Sequence, residues 1–400
     1  MARKKGHYGA GSIDKSGENS WRLRYRINGK RYTKVVEGTK TEAAKELRRV
    51  LHAGDTGAHV APDKITLAAW IDHWISIGAP GRRRKPVGNR SIERYSEILR
   101  VHVTPVLGSR PMQQITSTEI DKLYANIETK GRSRRSNHHL HTILNSCFEA
   151  AVRKKMLTAN PIASAEKVFS AGEADHGTAL DSDQVAALVG SFKGSPLFLV
   201  VATLAYTGCR RNEALALQWS DLDVASKELR IERTLEETKK FGLIYKPPKT
   251  SRGIRTITID DDLLALMVAE RERHRRIVAG IPDGATADLS LVKLPNGALM
   301  FPKPPTKGAA FSLTTPRNPH STTLEFRRKV KALGFRCRLH DLRGAHETAL
   351  LDANVPLHVV AARCGHDPAV LLRSYAKRNK KADVTAAAAI AAMSKGVLRG

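Results

Sequence analysis

Apolar and polar residues alternate along residues 21–27, near the start of the chain. Apolar side chains occupy every second position and arginines lie between them: Trp21, Leu23, Tyr25 and Ile27 against Arg22, Arg24 and Arg26. A period of two predicts a strand with one apolar and one cationic face. Asn28-Gly29 is typical of a type I′ turn, so residues 30–35 are expected to return as the second strand of a hairpin.

A helix is predicted to close this small sheet. Thr39 and Glu42 have the spacing of a capping box, so the helix should begin near Thr39 and bury Ala43, Leu47 and Leu51. Residues 52–64 contain glycine and proline with few apolar side chains, which indicates a linker. We therefore predict a small β-sheet plus helix domain over residues 1–57.

Helical spacing dominates the next hundred residues. Apolar side chains recur at Leu67, Trp70, Ile71, Trp74 and Ile75, the pattern of one buried helix face. Further helices are predicted over residues 91–103, 116–127 and 136–155, the last ending before Asn160-Pro161. These elements predict an all-α domain over residues 64–165, followed by a second linker over 164–177.

After the second linker, the sequence shows both the helical spacing of apolar residues and the alternation typical of strands. Helices are predicted over residues 182–191, 196–206, 261–278, 322–333, 339–353 and 356–364, and short strands over 228–235, 241–245 and 254–259. Residues 279–320 are rich in Pro, Gly and Thr and are assigned to loop with at most one short hairpin. The Ala-rich segment 382–393 predicts a helix that needs a surface to pack on. A mainly helical α+β domain is expected over residues 176–400, so the chain is multidomain.

The net charge of the chain limits the classes of partner that it could bind. The chain of 400 residues carries 67 Lys and Arg against 39 Asp and Glu, a net charge of +28, and its pI is about 10.2. The excess is spread along the chain, which favours nucleic acid as the partner. A merely soluble basic protein and a membrane-surface binder are the alternatives, but no lipidation motif, basic amphipathic anchor or membrane-length apolar run is present. With no secretory signal and four scattered cysteines, we expect a cytoplasmic, reduced protein.

Three basic segments are candidate DNA contacts. The hairpin strand presents three arginines on one face, and a β-ribbon fits the DNA major groove. Two basic loops would follow phosphates, although each segment alone is also compatible with an ordinary solvated surface. The candidate residues are Arg22, Arg24, Arg26, Arg83, Arg84, Arg134 and Arg135.

The residues suited to chemistry lie in the last domain. His340 and Arg343 are three residues apart, so a helix places both on one face. Gly365-His366 and Tyr375 follow them, and residues 207–213 contain an earlier arginine motif around Arg210. Each motif alone is weak. Their order, with an intervening lysine, resembles the active site of the tyrosine recombinases, the family of phage integrases, over the last two thirds of the chain.

The resemblance implies a role for each matching residue. Tyr375 would be the nucleophile that forms a 3′-phosphotyrosyl bond, and Arg210 and Arg343 would bind the phosphate through guanidinium forks. Lys249 would be the general acid for the leaving 5′ oxygen, with Lys246 as the competing candidate. The remaining roles are proton acceptor or phosphate ligand for His340, hydrogen-bond donor for His366, and support of the arginine for Glu213.

Three departures from the family pattern concern packing around these groups. Gly344-Ala345 precede His346 where the family usually has His-Thr, Asn212 replaces a common Gly, and Cys209 replaces Met or Leu. Cys337, His340, Cys364 and His366 are the residue types of a zinc site, but Cys364 and His366 are only one residue apart, which is unlike the wider spacing of zinc-ligand pairs. We expect no metal or other cofactor.

The resemblance also implies a function. Similar proteins are site-specific recombinases that work as homotetramers on double-stranded DNA, through a Holliday junction, to integrate or excise a phage or mobile element. Residues 1–57 resemble an arm-binding domain and residues 64–165 a SAM-like core-binding domain, so core and arm attachment sites in a bacterial host are the expected partners. The sequence leaves open a directionality factor, a DNA-bending host protein and cleavage in cis or trans. A type IB topoisomerase and a non-catalytic DNA-binding protein are the rival interpretations.

Overall fold

The structure is a computed structural model of the chain. It describes residues 11–57, 59–61, 63–129, 134–166, 180–282, 284–305 and 311–376, and of residues 134, 135 and 373–376 it describes the backbone alone. The fold forms two compact units, Met1–Ala174 and Asp175–Gly400. The predicted Ala-rich helix over 382–393 and most of the predicted second linker lie outside the described residues.

The first unit begins with a three-stranded antiparallel sheet. Its strands, in spatial order, are β1 (Ser12–Gly17), β2 (Ser20–Ile27) and β3 (Lys30–Glu37). Asn28 and Gly29 have φ angles of 50° and 75°, which confirms the type I′ turn between β2 and β3. The short, polar strand β1 was not predicted, because its sequence has no apolar alternation.

Helix α1 (Lys40–Asp55) covers one face of this sheet. Thr39 caps it and Glu42 completes the predicted capping box. Ala43 and Leu47 are buried as predicted, but the third buried residue is Val50, and Leu51 is only half-buried. Val50 continues the stripe that starts at residue 43 at seven-residue spacing, whereas Leu51 lies to its side. The helix also runs into the segment predicted as linker.

Five α-helices follow in the described part of residues 63–166. They are α2 (Leu67–Ser76), α3 (Asn89–His102), α4 (Thr104–Leu107), α5 (Ser117–Thr129) and α6 (Arg134–Arg153). Their apolar faces enclose a core that contains Trp70, Trp74 and Phe148. The single turn α4 was not predicted, since Pro105 near its start is typical of a break. Asn160 accepts a hydrogen bond from the Ile162 amide at 3.0 Å and so starts a 3-10 turn.

The second unit is mainly helical. Its helices are α7 (Ser182–Gly190), α8 (Phe198–Thr207), α9 (Arg211–Ala214), α10 (Asp261–Ala279), α11 (Pro319–Ala332), α12 (Leu339–Asp352), α13 (Leu357–Cys364) and α14 (Pro368–Ala376). Helix α8 is apolar on all sides and nearly all of it is buried, and α12 packs against it. A helix without a polar face belongs in the middle of a core.

The described residues of the second unit also form two small antiparallel sheets. One has the order β4 (Leu222–Asp223), β5 (Glu228–Ile231), β8 (Arg255–Thr258), and the other pairs β6 (Thr234–Thr238) with β7 (Gly242–Lys246). The single strand predicted over residues 228–235 is therefore two strands. They are separated at Glu232-Arg233, where Arg233 binds the Asp221 carboxylate. The described part of residues 280–318 is loop, as predicted, with isolated antiparallel bridges from Leu299 to Gln218 and from Pro302 to Pro316.

The fold class is the predicted one: a small sheet with a helix, an all-α region and a mainly helical α+β region. In the part of the chain that the structure describes, no helix is long and apolar enough to cross a membrane.

Candidate active site

A left-handed glycine organises the candidate active site. Helix α8 ends at Thr207, and Gly208 follows with φ 66°. A Cβ atom on Gly208 would lie 2.6 Å from Cδ2 of His346 and 3.0 Å from Sγ of Cys364. Glycine is therefore required twice at this position, by backbone conformation and by space. The sharp turn directs the next residues, including Arg210, towards helices α12 and α13.

Arg210 lies at the start of α9 with part of its side chain open to solvent. Its Nη1 donates to Oε1 of Glu213 at 2.7 Å, and its Nη2 donates to the carbonyl of Gly365 at 3.2 Å. The side chain is still 39% exposed. Arg210 is therefore held in place by the protein while keeping an accessible edge for an anion.

Glu213 binds two arginines. Its second oxygen accepts from Nη2 of Arg255 at 2.9 Å. Burial opposes ionisation of Glu213, but the charge and hydrogen bonds of Arg255 and then Arg210 outweigh it and lower the pKa of this carboxyl. Glu213 is thus an ionised, buried link between the start of α9 and strand β8.

Arg255 was missed by the sequence analysis. Its side chain is buried, its Nε donates to the carbonyl of Arg363 at 2.6 Å, and its Nη1 donates to the carbonyl of Gly253 at 3.0 Å. Together with the Glu213 bond, these contacts tie β8 to α9 and to the end of α13. A single arginine at the start of a short strand gave no sign of this role in the sequence.

Arg343 is the most enclosed charge in the site. It lies on α12 and its side chain is 2% exposed. Nη1 donates to the carbonyl of Gly208, Nη2 donates to the carbonyl of Cys364, and Nε lies 3.1 Å from Oε1 of Glu347. Burial lowers the pKa of Arg343, but a guanidinium remains charged at any ordinary pH. Arg343 therefore joins the ends of α8 and α13 to α12.

His366 lies just beyond α13, next to Arg343. Its Nε2 is 2.8 Å from Oε1 of Glu347 and 3.3 Å from Nε of Arg343. The His366 side chain is 21% exposed, so it can still reach a bound group. Gly365, which precedes it with φ 63°, packs against the backbone of residues 252–253.

His340 lies one helical turn before Arg343 on α12, as the three-residue spacing predicted. Partial burial, and then the charge of Arg343, lower the pKa of this imidazole. A neutral imidazole at neutral pH can accept a proton, which fits the proton-acceptor role expected for His340.

The structure separates the two lysine candidates. Lys246, at the end of β7, is paired with Glu236 on the neighbouring strand. Lys249 lies on the exposed loop between β7 and β8, and the described residues provide it with no ion pair or hydrogen bond. These environments favour Lys249 as the mobile proton donor.

That lysine loop is attached to the turn that carries His366. Arg252 forms an ion pair with Asp367, whose side chain also accepts from the Ala369 amide at the start of α14. A Cβ on Gly365 would lie 2.8 Å from the carbonyl oxygen of Arg252. The loop and the first turn of α14 are thus in direct contact.

Tyr375 lies in the last turn of α14, but its side chain is outside the described residues. The backbone shows that the helix beginning two residues after His366 carries this tyrosine. At 1.5 Å rise per residue, Tyr375 lies about 10 Å along the axis from Pro368.

The residues that depart from the family pattern make contacts next to the candidate active site. Asn212 donates from its side chain to the Leu235 carbonyl at 2.7 Å, which joins α9 to β6. Cys209 is buried beside the arginines. The Gly344 carbonyl accepts from the Thr348 hydroxyl at 2.9 Å, Ala345 is buried, and the adjacent His346 packs on Gly208 and accepts from Nε of Arg363 at 3.2 Å. All three contribute to packing around the arginines.

The groups of the rejected zinc site serve the arginines instead. Cys364 binds Arg343 through its carbonyl, and the His366 ring is bonded to Glu347.

The candidate DNA contacts lie in the first unit. Arg22, Arg24 and Arg26 are exposed on one face of the N-terminal sheet, and Arg24 forms an ion pair with Asp14 at 3.1 Å. Arg83 and Arg84 are exposed in the turn between α2 and α3. The side chains of Arg134 and Arg135 lie outside the described residues.

Comparisons with known proteins agree with this geometry. The model of the phage integrase family matches residues 179–382. A tyrosine recombinase XerC-like protein of Caldanaerobacter subterraneus subsp. tengcongensis is 24% identical over 374 residues, which cover 88% of this chain and 90% of the relative.

Solved integrases share the fold at low identity. The Tn1549 transposon integrase, in complex with a circular intermediate DNA, has a TM-score of 0.64 at 16% identity, over 82% of this chain and 99% of that one. The lambda integrase tetramer bound to a Holliday junction has a TM-score of 0.51 at 17% identity, over 88% and 92%. The family match spans just over half of the 400 residues and includes every residue of the candidate active site. The chain belongs to the phage integrase family, that is, the tyrosine recombinases.

Proposed function

We propose that this protein is a site-specific DNA recombinase that cleaves and rejoins DNA through a 3′-phosphotyrosyl intermediate. The placement of two arginines is the observation that supports DNA phosphate binding at the candidate active site. Arg210 and Arg343 are far apart in sequence, yet Arg210 binds the carbonyl of Gly365 while Arg343 binds those of Gly208 and Cys364. Two guanidinium groups are thereby fixed around the same two turns, as binding of one phosphate requires.

The reaction follows from the groups present. Tyr375 attacks the scissile phosphorus, the phosphotyrosyl bond keeps the energy of the broken phosphodiester, and the 5′ oxygen leaves. Arg210, Arg343 and His366 stabilise the negative charge that develops on the non-bridging oxygens, each fixed donor contributing about 3 kcal/mol. Religation by a 5′ hydroxyl reverses the same steps, so no external energy source is needed.

Two proton transfers accompany cleavage. His340, neutral at neutral pH, accepts the proton of the Tyr375 hydroxyl, whose ordinary pKa is about 10. Lys249 donates a proton to the leaving 5′ oxygen. An exposed loop suits this second role, because the lysine must approach an oxygen that moves away from phosphorus during the reaction.

We further propose three functional domains on double-stranded DNA. Residues 1–57 would bind arm sites through Arg22, Arg24 and Arg26, residues 64–165 would bind core sites with Arg83, Arg84, Arg134 and Arg135, and residues 176–400 would catalyse. The lambda integrase tetramer on a Holliday junction supports a homotetramer for this chain. A bacterial cytoplasm is the expected setting, and the Ala-rich segment 382–393 would contribute to assembly by docking on a neighbouring subunit.

A recombination assay tests the function against both rivals. Two plasmids carrying DNA from the region flanking the gene are incubated with the protein, and recombinant junctions and supercoil relaxation are measured together. Junctions that depend on Tyr375 support the recombinase. Relaxation without junctions would identify a type IB topoisomerase, and tight binding without either product would identify a non-catalytic DNA-binding protein.

A further inference from the structure

A carboxylate lies between two of the phosphate-binding groups, and the proposed chemistry does not use it. Glu347 follows Arg343 by four residues on α12, so both side chains lie on one face of the helix. Its side chain is 10% exposed, and its Oε1 lies 3.1 Å from Nε of Arg343 and 2.8 Å from Nε2 of His366. One oxygen thus contacts two groups expected to bind DNA phosphate.

The charge on Glu347 can be assigned. Burial opposes its ionisation, but the hydrogen bond to His366 and the charge of Arg343 outweigh burial and lower the pKa of this carboxyl. An ionised carboxylate only accepts hydrogen bonds. Both nitrogens that contact Oε1 must therefore donate to it.

This assignment fixes the proton on His366. Nε2 must carry hydrogen in order to bond to Glu347, and it then cannot accept from Nε of Arg343, 3.3 Å away. The two donors instead share Oε1. The bond made by one ring nitrogen decides the tautomer of an imidazole, so neutral His366 is the tautomer protonated at Nε2.

We propose that Glu347 is a positioning residue for DNA cleavage, which keeps the His366 proton on Nε2, on the edge that His366 shares with Arg343. Arg343 Nε and His366 Nε2 each carry one hydrogen and both donate to Oε1 of Glu347, so Glu347 holds these two donors together on one edge of the site. A DNA phosphate oxygen receives hydrogen bonds from them by taking the place of Oε1. The inference rests on the proposed recombinase function, because it assigns Glu347 to the same phosphate site.

A purely structural role is the competing explanation. Removing one partner of a buried ion pair leaves the other charge buried and uncompensated, which lowers stability wherever the pair lies. Asp221 offers a matched control in the same unit. It is a buried carboxylate paired with Arg233, and it belongs to no part of the candidate active site.

The experiment uses the full chain and nicked DNA from the flanking region. At saturating protein, Glu347→Ala should slow formation of the covalent adduct about 10- to 100-fold, as loss of an orienting partner typically does. Its affinity for DNA should stay within about 2-fold of the wild-type affinity. Glu347→Gln retains an acceptor oxygen and should recover to within about 5-fold of the wild-type rate. Asp221→Ala should leave the adduct rate within about 2-fold.

Two further measurements separate positioning from stability. If Glu347 acts through His366, the double variant Glu347→Ala, His366→Ala should be no slower than His366→Ala alone. In full-length protein with 15N-labelled histidine, the His366 ring, identified by its absence in His366→Gln, should show an Nε2-protonated signature that Glu347→Ala removes.

The outcomes are distinct. The proposal is overturned if Glu347→Ala slows adduct formation no more than Asp221→Ala does, if the Glu347 and His366 effects multiply, or if the His366 ring is protonated at Nδ1. Absence of any adduct in the wild type would instead contradict the proposed function, and the imidazole spectrum would still decide where the proton lies.

Discussion

Arg343 and Lys249 occupy opposite environments within one candidate active site. The Arg343 side chain is 2% exposed and bonded to two carbonyls and a carboxylate, whereas Lys249 lies on an exposed loop without a described partner. Groups that stabilise charge are most effective when they are fixed before the reaction. A proton donor that follows a departing oxygen has to move. The contrast indicates a rigid anion-binding centre served by a mobile acid.

Loss of the buried arginine should have the largest effect. Arg343→Ala should reduce the rate of covalent adduct formation about 1,000-fold, since it removes a fixed donor and the link between three helices. Arg343→Lys should recover little, because an ammonium cannot span the carbonyls of Gly208 and Cys364 while also contacting Glu347. Single-turnover cleavage at saturating protein measures both. A lysine variant with near wild-type activity would show that charge alone suffices.

Substitution of Gly208, whose carbonyl accepts a hydrogen bond from Arg343, should have the second largest effect. Gly208→Ala should lower the free energy of unfolding by about 3 kcal/mol, from left-handed strain and from the clash with His346. Gly242→Ala is the matched control, because Gly242 has φ 65° but nothing within 4 Å of an added Cβ, and it should cost only about 1 kcal/mol. Urea unfolding of both variants compares them. Equal losses would mean that packing at Gly208 is not tight.

The mobile acid should have a smaller, chemically specific effect. Lys249→Ala should slow cleavage about 100-fold, the lower end of the range of general acid catalysis, while Lys246→Ala should change the cleavage rate less than about 3-fold. A substrate with sulfur in place of the leaving 5′ oxygen needs no proton and should restore Lys249→Ala. If sulfur rescues Lys246→Ala instead, the two lysines have been assigned the wrong way round.

A pH effect on stability should be smallest. Burial, and then the charge of Arg363, lower the pKa of His346 to about 4. Since an unfolded histidine has a pKa near 6.5, the unfolded state binds the extra proton between these values, and stability falls as pH falls through that window. From pH 7.5 to 5 this histidine should remove about 2 kcal/mol. Urea unfolding of the wild type and of His346→Gln at both pH values measures this loss. If the free energy of unfolding changed equally with pH in the two proteins, the role of His346 would be contradicted.

Sequence patterns predicted most of the fold because the core elements have strong periodicity and caps. The alternation from Trp21 to Ile27, the Asn28-Gly29 turn and the Thr39 cap all appear in the structure. The failures lie where local signals conflict or are absent. Strand β1 is polar, α4 contains a proline, and the break between β5 and β6 follows from the Arg233 pairing with Asp221, which is a tertiary contact.

The candidate site could be predicted residue by residue only where a motif existed. His340 and Arg343 lie on one helix as their spacing required, and Glu213 supports Arg210 within a capping box. Arg255 and Glu347 could not be found this way, because their roles come from contacts between segments distant in sequence. The choice between Lys246 and Lys249 also needed the structure, which shows Lys246 already paired with Glu236.

Tyr375 should become covalently bound to DNA at this arginine centre. The most direct measurement is a covalent trap: nicked DNA from the flanking region is incubated with the full chain, and denaturing gels reveal adducts that survive detergent. We expect an adduct with the wild type, none with Tyr375→Phe and very little with Arg343→Ala. An adduct that persists in Tyr375→Phe would contradict it.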